Sequence, residues 1–119
     1  MNVAVIGASN KPERYSYKAL MLLQENNHTV FPIHKKLELI EGIKVFSSIT
    51  DVNSAIDTIT MYVGPAISSE IQDDILSCNP SRIIFNPGSE NPQLEQAARD
   101  HGVEVVCACT LVMLKIGQF

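Results

Sequence analysis

The chain has 119 residues, enough for one hydrophobic core and too few for a nucleotide-binding domain plus a separate substrate domain. Apolar residues make up 45% and charged residues 18%, which excludes a disordered chain. With 13 acids against 9 bases the net charge is −4, which disfavours general binding to nucleic acid or an anionic membrane surface.

No export signal or membrane span is expected. Met1-Asn2 leads straight into Val3-Ala4-Val5-Ile6-Gly7, and no apolar run approaches the roughly 20 residues of a membrane helix. Cys78, Cys107 and Cys109 form an odd set, and Cys107-Ala108-Cys109 has neither redox nor zinc spacing. Reduced thiols in a cytoplasmic protein are the expectation, with no metal site.

The elements alternate along the chain. Val3–Ile6 reads as a strand buried on both faces, stopped by Gly7. A helix is predicted from about Tyr15 to Glu25, with Ala19, Leu20, Leu22 and Leu23 on its apolar face, and a second strand over Thr29–Ile33. Residues 37–50 are mixed, with Gly42 and a short extended piece near Lys44–Phe46. Asp51 is expected to cap a helical turn at Val52–Ala55. Asp57–Val63 is a third strand. Ile67, Ile71 and Ile75, at i, i+4 spacing, predict one helix that buries that stripe. Arg82–Asn86 is a fourth strand, followed by a helix with Leu94, Ala97, Ala98 and His101 on one face. Val103–Val106 is a fifth strand and Thr110–Ile116 a terminal helix. Apolar strands alternating with helices predict one α/β domain over residues 1–119, a doubly wound parallel five-stranded sheet in three layers.

In such a sheet ligands sit beyond the carboxyl ends of the strands. The first of these turns reads Gly7-Ala8-Ser9-Asn10-Lys11-Pro12. A dinucleotide fingerprint would have glycine at 7, 9 and 12; only Gly7 is present, which argues against an ordinary NAD site. Small residues at 7–9 and a helix N-terminus still favour an anion. After the second strand an NAD site needs an acid for the ribose hydroxyls, whereas this chain has His34-Lys35-Lys36. With Lys11, Arg14 and Lys18 nearby in sequence, this strand end suits a ribose phosphate, as in NADP or coenzyme A.

Gly7-Ala8-Ser9, Arg14-Tyr15-Ser16, Val30-Phe31-Pro32-Ile33, Val63-Gly64-Pro65, Asn86-Pro87-Gly88-Ser89-Glu90-Asn91 and Cys109-Thr110-Leu111-Val112-Met113-Leu114 occur in this order. The set resembles the small bacterial CoA-binding proteins, which are similar to the nucleotide-binding domain of the succinyl-CoA synthetase α subunit. The resemblance covers nearly the whole chain and implies a Rossmann-like fold with CoA lying across the strand ends. It implies that Gly7, Ala8 and Ser9 form the phosphate-facing turn and that Lys11, Arg14, Tyr15 and Ser16 complete it. Pro32, His34 and Lys35 would flank the adenosine end. Val63, Gly64 and Pro65 would line the adenine or pantetheine path, and Asn86, Pro87 and Gly88 would lie near the pantetheine arm. One departure stands at His34-Lys35, where the family commonly carries Asn-Pro.

No catalytic constellation is apparent. His28 reads as a turn residue, His101 as a helix cap, and His34 has no orienting acid in sequence. Cys109 precedes a helix and is more readily a small buried hydrophobe than a nucleophile. The reading is a non-catalytic protein that binds CoA or acyl-CoA, with no nucleic acid or membrane partner. The alternatives are an NADP-dependent oxidoreductase, a Cys109 thiol acyl-transfer enzyme, and an interaction module that has lost its ligand.

Overall fold

Side chains alternate across a strand, so a strand that is apolar at every position must be covered on both faces. The computed structural model describes residues 1–119, and its central strand β1 (Asn2–Ile6) meets this condition. Val3 and Val5 enter one core with Leu20 and Leu23 of helix α1 (Tyr15–Glu25). Ala4 and Ile6 enter the other. That second core also takes Ile75 from α3 (Gln72–Ser77) and Leu94 and Ala98 from α4 (Pro92–Asp100).

Strands β2 (Thr29–Ile33), β5 (Thr58–Met61), β6 (Arg82–Phe85) and β7 (Glu104–Cys107) complete the sheet in the order β2-β1-β5-β6-β7. All four pairings are parallel. The fold is therefore the expected five-stranded, doubly wound, Rossmann-like α/β sheet. The chain steps from β1 to β2 on one side and returns to β5 on the other. The reversal opens a crevice at the carboxyl end of β1.

Several local expectations are corrected. Residues 37–50 contain a two-stranded hairpin, β3 (Leu39–Ile40) and β4 (Ile43–Lys44). Its two-residue loop has positive φ at both Glu41 and Gly42, the condition for a hairpin turn matched to strand twist. Phe46 then runs beside Ile33 and exchanges backbone bonds with Pro32 and His34, which covers the edge of β2. The following turn is Ile49–Asp51 and is capped by the Ser48 hydroxyl, which accepts from the Thr50 N–H at 3.2 Å. Asp51 ends that turn and accepts a bond from the Ser47 hydroxyl.

The isoleucine stripe also divides. Backbone angles at Ile71 leave the helical region and separate α2 (Pro65–Glu70) from α3. Ser68 takes the buried place on α2, where it accepts a bond from Asn91 Nδ2 at 2.8 Å. Ile75 is fully buried, but Ile67 is turned outward and is 48% exposed. On α4, Leu94 and Ala98 face the core, while His101 is exposed and its Nδ1 sits 2.8 Å from the Ala97 carbonyl oxygen. The last helix, α5 (Thr110–Lys115), lies on the α1 side, where Leu114 joins that core.

Gly7 holds β1 and β5 together at the crevice. Its φ is +86°, and a Cβ there would lie 2.8 Å from Val63 Cγ1 and 2.9 Å from the Tyr62 carbonyl oxygen. Gly7→Ala should lower the free energy of unfolding by about 3 kcal/mol, from positive-φ strain and overpacking together. Urea denaturation measures this; an unchanged midpoint would contradict the role given to Gly7.

Candidate functional site

The crevice is an open cleft of about 1130 Å³ lined by residues following β1, β2, β5 and β6. Ile6 and Ile33 stand at the strand ends below it. Four cations border it, Lys11, Arg14, Lys35 and Lys36, against two carboxylates, Glu13 and Asp74. In a chain of net charge −4 this is a local reversal of sign.

The β1–α1 loop is fixed before it reaches the cleft. The N–H groups of Gly7 and Ala8 both donate to the Ile33 carbonyl, at 3.3 and 3.2 Å. These two donors are thereby committed to β2, so the first part of the turn shapes the cleft rather than offering free N–H groups. Ser9 turns the chain by accepting the Lys11 N–H on its hydroxyl at 3.1 Å. The free donors come one step later. Arg14 occupies the N-cap of α1, and no side chain caps the helix. The N–H groups of its first turn therefore lack the side-chain partner a cap supplies. Arg14, Tyr15 and the buried Ser16, at this end of the helix, all line the cleft. A helix N-terminus of this kind attracts an anion through its N–H groups and its dipole. Tyr15 is 64% exposed and carries Lys18 Nζ 5.7 Å above its ring.

The departure at His34 has a structural reading. Its Nδ1 accepts the backbone N–H of Lys36 at 3.0 Å and of Leu37 at 3.1 Å. An asparagine side-chain oxygen makes the same kind of turn. The histidine thus makes an asparagine-like turn with Nδ1 as the acceptor. The turn lifts Lys35 and Lys36 onto the cleft rim, both exposed.

Of the residues singled out in sequence, Gly7, Ala8, Ser9, Lys11, Arg14, Tyr15, Ser16, His34, Lys35, Val63 and Pro87 border this one cleft. Pro32, Gly64, Pro65, Asn86 and Gly88 do not. Pro32 is buried in β2, Gly64 and Pro65 start α2, and Gly88 donates its N–H to Glu90. Asn86 is a bracket between elements. Its Nδ2 donates to Thr60 Oγ1 at 2.7 Å and the Met61 carbonyl at 2.9 Å, and its Oδ1 accepts the Thr110 N–H at 2.8 Å. The Thr60 and Thr110 hydroxyls close the network at 2.8 Å. Sequence reasoning missed Ser47, Ser48, Ile49, Tyr62, Ile67, Ile71 and Asp74, which reach the cleft only through tertiary placement.

The cysteines stand apart from the cleft. Cys109 is half-buried at the N-cap of α5. Cys107 Sγ donates to Glu95 Oε1 at 3.3 Å, and its thiol is pushed up by burial and by that carboxylate. Burial also pushes up the Cys78 thiol, with Asp74 adding to it. His28 is tied at the other end of the sheet, with Nδ1 3.3 Å from the amino terminus and its ring edge-on to Phe119. Burial lowers its pKa, and the adjacent amino terminus adds to that.

The match to the family model for the CoA binding domain runs over residues 1–115. The chain therefore belongs to the CoA-binding domain family. It is 34% identical to an uncharacterized protein of known crystal structure, with a TM-score of 0.90 over 99% of this chain and 97% of that one. It is 20% identical over 104 residues to the uncharacterized protein YneT of Bacillus subtilis, covering 87% of this chain and 77% of YneT. An ADP-forming acetate–CoA ligase of Methanocaldococcus jannaschii is 30% identical over 73 residues. That match takes in 61% of this chain but only 10% of the ligase.

Two stability predictions follow from the buried polar groups beneath the cleft. Asn86→Ala strands the Thr110 N–H and the Met61 carbonyl and should cost about 3 kcal/mol in urea denaturation; a loss below about 1 kcal/mol would contradict the bracket. The Tyr62 hydroxyl is buried without a hydrogen bond. Burial pushes its pKa up to about 12, which the nearby Thr110 and Thr60 hydroxyls only partly offset. A raised folded-state pKa gives a contribution present in full below pH about 10 and lost as pH rises toward about 12. Tyr62→Phe should be neutral or stabilising by about 1 kcal/mol at neutral pH, and should remove part of the alkaline loss. Destabilisation at neutral pH would show that the hydroxyl is satisfied.

Proposed function

We propose that the chain binds coenzyme A or its thioesters at the carboxyl ends of the strands and carries out no chemistry on them. The observation that carries this reading is the cationic cleft at the sheet's reversal point in a net acidic chain of this family. In this reading the pyrophosphate sits at the N-terminus of α1, against Tyr15, Ser16 and Arg14. The ribose phosphate meets Lys35, with Lys36 and Lys11 adding to the local positive field. His34 offers its Nε2–H to the adenosine end. Val63 and Pro87 lie along the path of the pantetheine arm. Gly7, Ala8 and Ser9 set the shape of the floor. Pro32, Gly64, Pro65, Asn86 and Gly88 support it from behind.

The non-catalytic part of the reading rests on the cleft's own chemistry. Its lining pairs no cysteine or histidine with a carboxylate, its Ser47–Asp51 hydroxyl–carboxylate bond closes a local turn, and Cys109 does not border it. Holding, sensing or presenting the ligand in the cytoplasm needs nothing more than binding. NADP also carries a ribose phosphate and is the natural competitor for the same cations.

Calorimetric titration with CoA, dephospho-CoA, NADP and NAD tests the reading. CoA should bind at least about tenfold more tightly than dephospho-CoA, since a charge-assisted contact is worth roughly 1.5–3 kcal/mol. Lys35→Ala should shrink that ratio, and added salt should weaken CoA binding. NADP binding more tightly than CoA would favour the oxidoreductase instead. Failure of CoA to bind would overturn the proposal.

A further inference from the structure

The cleft has two chemically different ends. All four of its cations come from the α1 loop and the residues after β2. The other end is built by Tyr62, Val63, Ile67, Ile71 and Pro87, with Asp74 as its one ionisable carboxylate. Neighbouring strands lie about 4.8 Å apart, so β2 and β6 are separated by roughly 14 Å across the cleft floor. A ligand spanning it meets positive charge first and an apolar, mildly acidic wall last.

The apolar wall is the product of the break at Ile71. An unbroken helix would direct Ile67, Ile71 and Ile75 to the core together. Instead, only Ile75 is fully buried, while Ile67 stands 48% exposed and Ile71, half-buried, packs against the core with one side and lines the cleft with the other. Large aliphatic side chains facing a ligand cleft gain by covering an apolar group. Asp74, seven residues after Ile67, lines the same wall and repels a second carboxylate there.

We infer that this end of the cleft receives the acyl group of a CoA thioester, and that the group it favours is aliphatic and uncharged rather than a dicarboxylic half-ester. The inference rests on the CoA-binding reading. Phosphates held at α1 leave the pantetheine arm to cross β5 toward Pro87, which brings the sulfur to the Ile67–Ile71 wall. Free CoA leaves that wall open to water; an acyl chain covers it.

The test is a calorimetric series with CoA, acetyl-, butyryl-, hexanoyl- and succinyl-CoA. CoA itself contains the pantetheine arm, so the comparison isolates the acyl group. A methylene fully removed from water is worth about a fourfold gain. Affinity should rise along the aliphatic series, with hexanoyl-CoA about tenfold or more above CoA in this open cleft. Succinyl-CoA should bind at least about fivefold more weakly than butyryl-CoA, its neutral counterpart of equal chain length. Ile67→Asp should lower the hexanoyl-to-CoA ratio, and Asp74→Asn should narrow the butyryl-to-succinyl gap. CoA binding with no preference among the thioesters would overturn this inference and leave the CoA-binding reading standing. Equal affinity for succinyl- and butyryl-CoA would overturn the charge selection. If neither CoA nor any thioester binds, the underlying reading fails and this inference with it.

Discussion

The site depends on one close approach, that of the Gly7 backbone to Tyr62 and Val63 at the ends of β1 and β5. No side chain fits between them, and the conformation at residue 7 is one that glycine adopts without strain. From this point the Ile33 carbonyl draws in the Gly7 and Ala8 N–H groups, locking the loop to β2. The chain is then delivered to the start of α1 with the helix N-terminus facing the cleft. This contact and these two hydrogen bonds add to the parallel ladders and to the Tyr62 N–H bond to the Ile6 carbonyl in fixing three strand ends relative to one another. The cations, the uncapped helix and the apolar wall are hung on that frame.

Beneath the cleft a second set of contacts holds the frame from the other side. Asn86 joins β5, β6 and the start of α5 through three buried hydrogen bonds. Asn91 does the same for α2 and α4: its side chain donates to Ser68 and Ser69 and accepts the Leu94 N–H. Polar residues at strand ends in this molecule therefore divide into two kinds. Those whose side chains are saturated by protein partners build the scaffold; those left toward the cleft, such as Ser16, Lys35 and Lys36, are available to a ligand.

The strands and the order of elements were legible because β1 and β6 are apolar at all but their first position, and β5 alternates threonine with Ile59 and Met61, patterns that a covered parallel sheet accommodates. The hairpin at Glu41-Gly42 was not, because glutamate seldom adopts positive φ and no Asn-Gly or Asp-Gly signal marks the turn. The stripe Ile67, Ile71 and Ile75 reads as one buried face, yet Ser68 outcompetes Ile67 by its bond to Asn91, a partner 23 residues away. Within the cleft, the loop after β1 and the basic residues after β2 were expected together, since this architecture brings strand ends to one edge. Ile67 and Asp74 were not, because their place depends on how α2 and α3 break, and Tyr62 lay inside the strand expected over Asp57–Val63, which ends at Met61. The three buried bonds of Asn86 were not legible either, because a strand-end asparagine looks the same in sequence whether it faces a ligand or ties two strands.

The sheet also has a small depression at its opposite end, formed by Met1, Asp57, Thr58, Ser81, Arg82 and Glu104. That makes the location of binding the central claim, and amide chemical shifts in ¹⁵N–¹H spectra during a CoA titration test it most directly. The account predicts the largest shifts at the amides of residues 9–17 and 34–37, extending to Tyr62 and Val63. Shifts concentrated at Thr58, Ser81 and Arg82, with the first group unmoved, would contradict it.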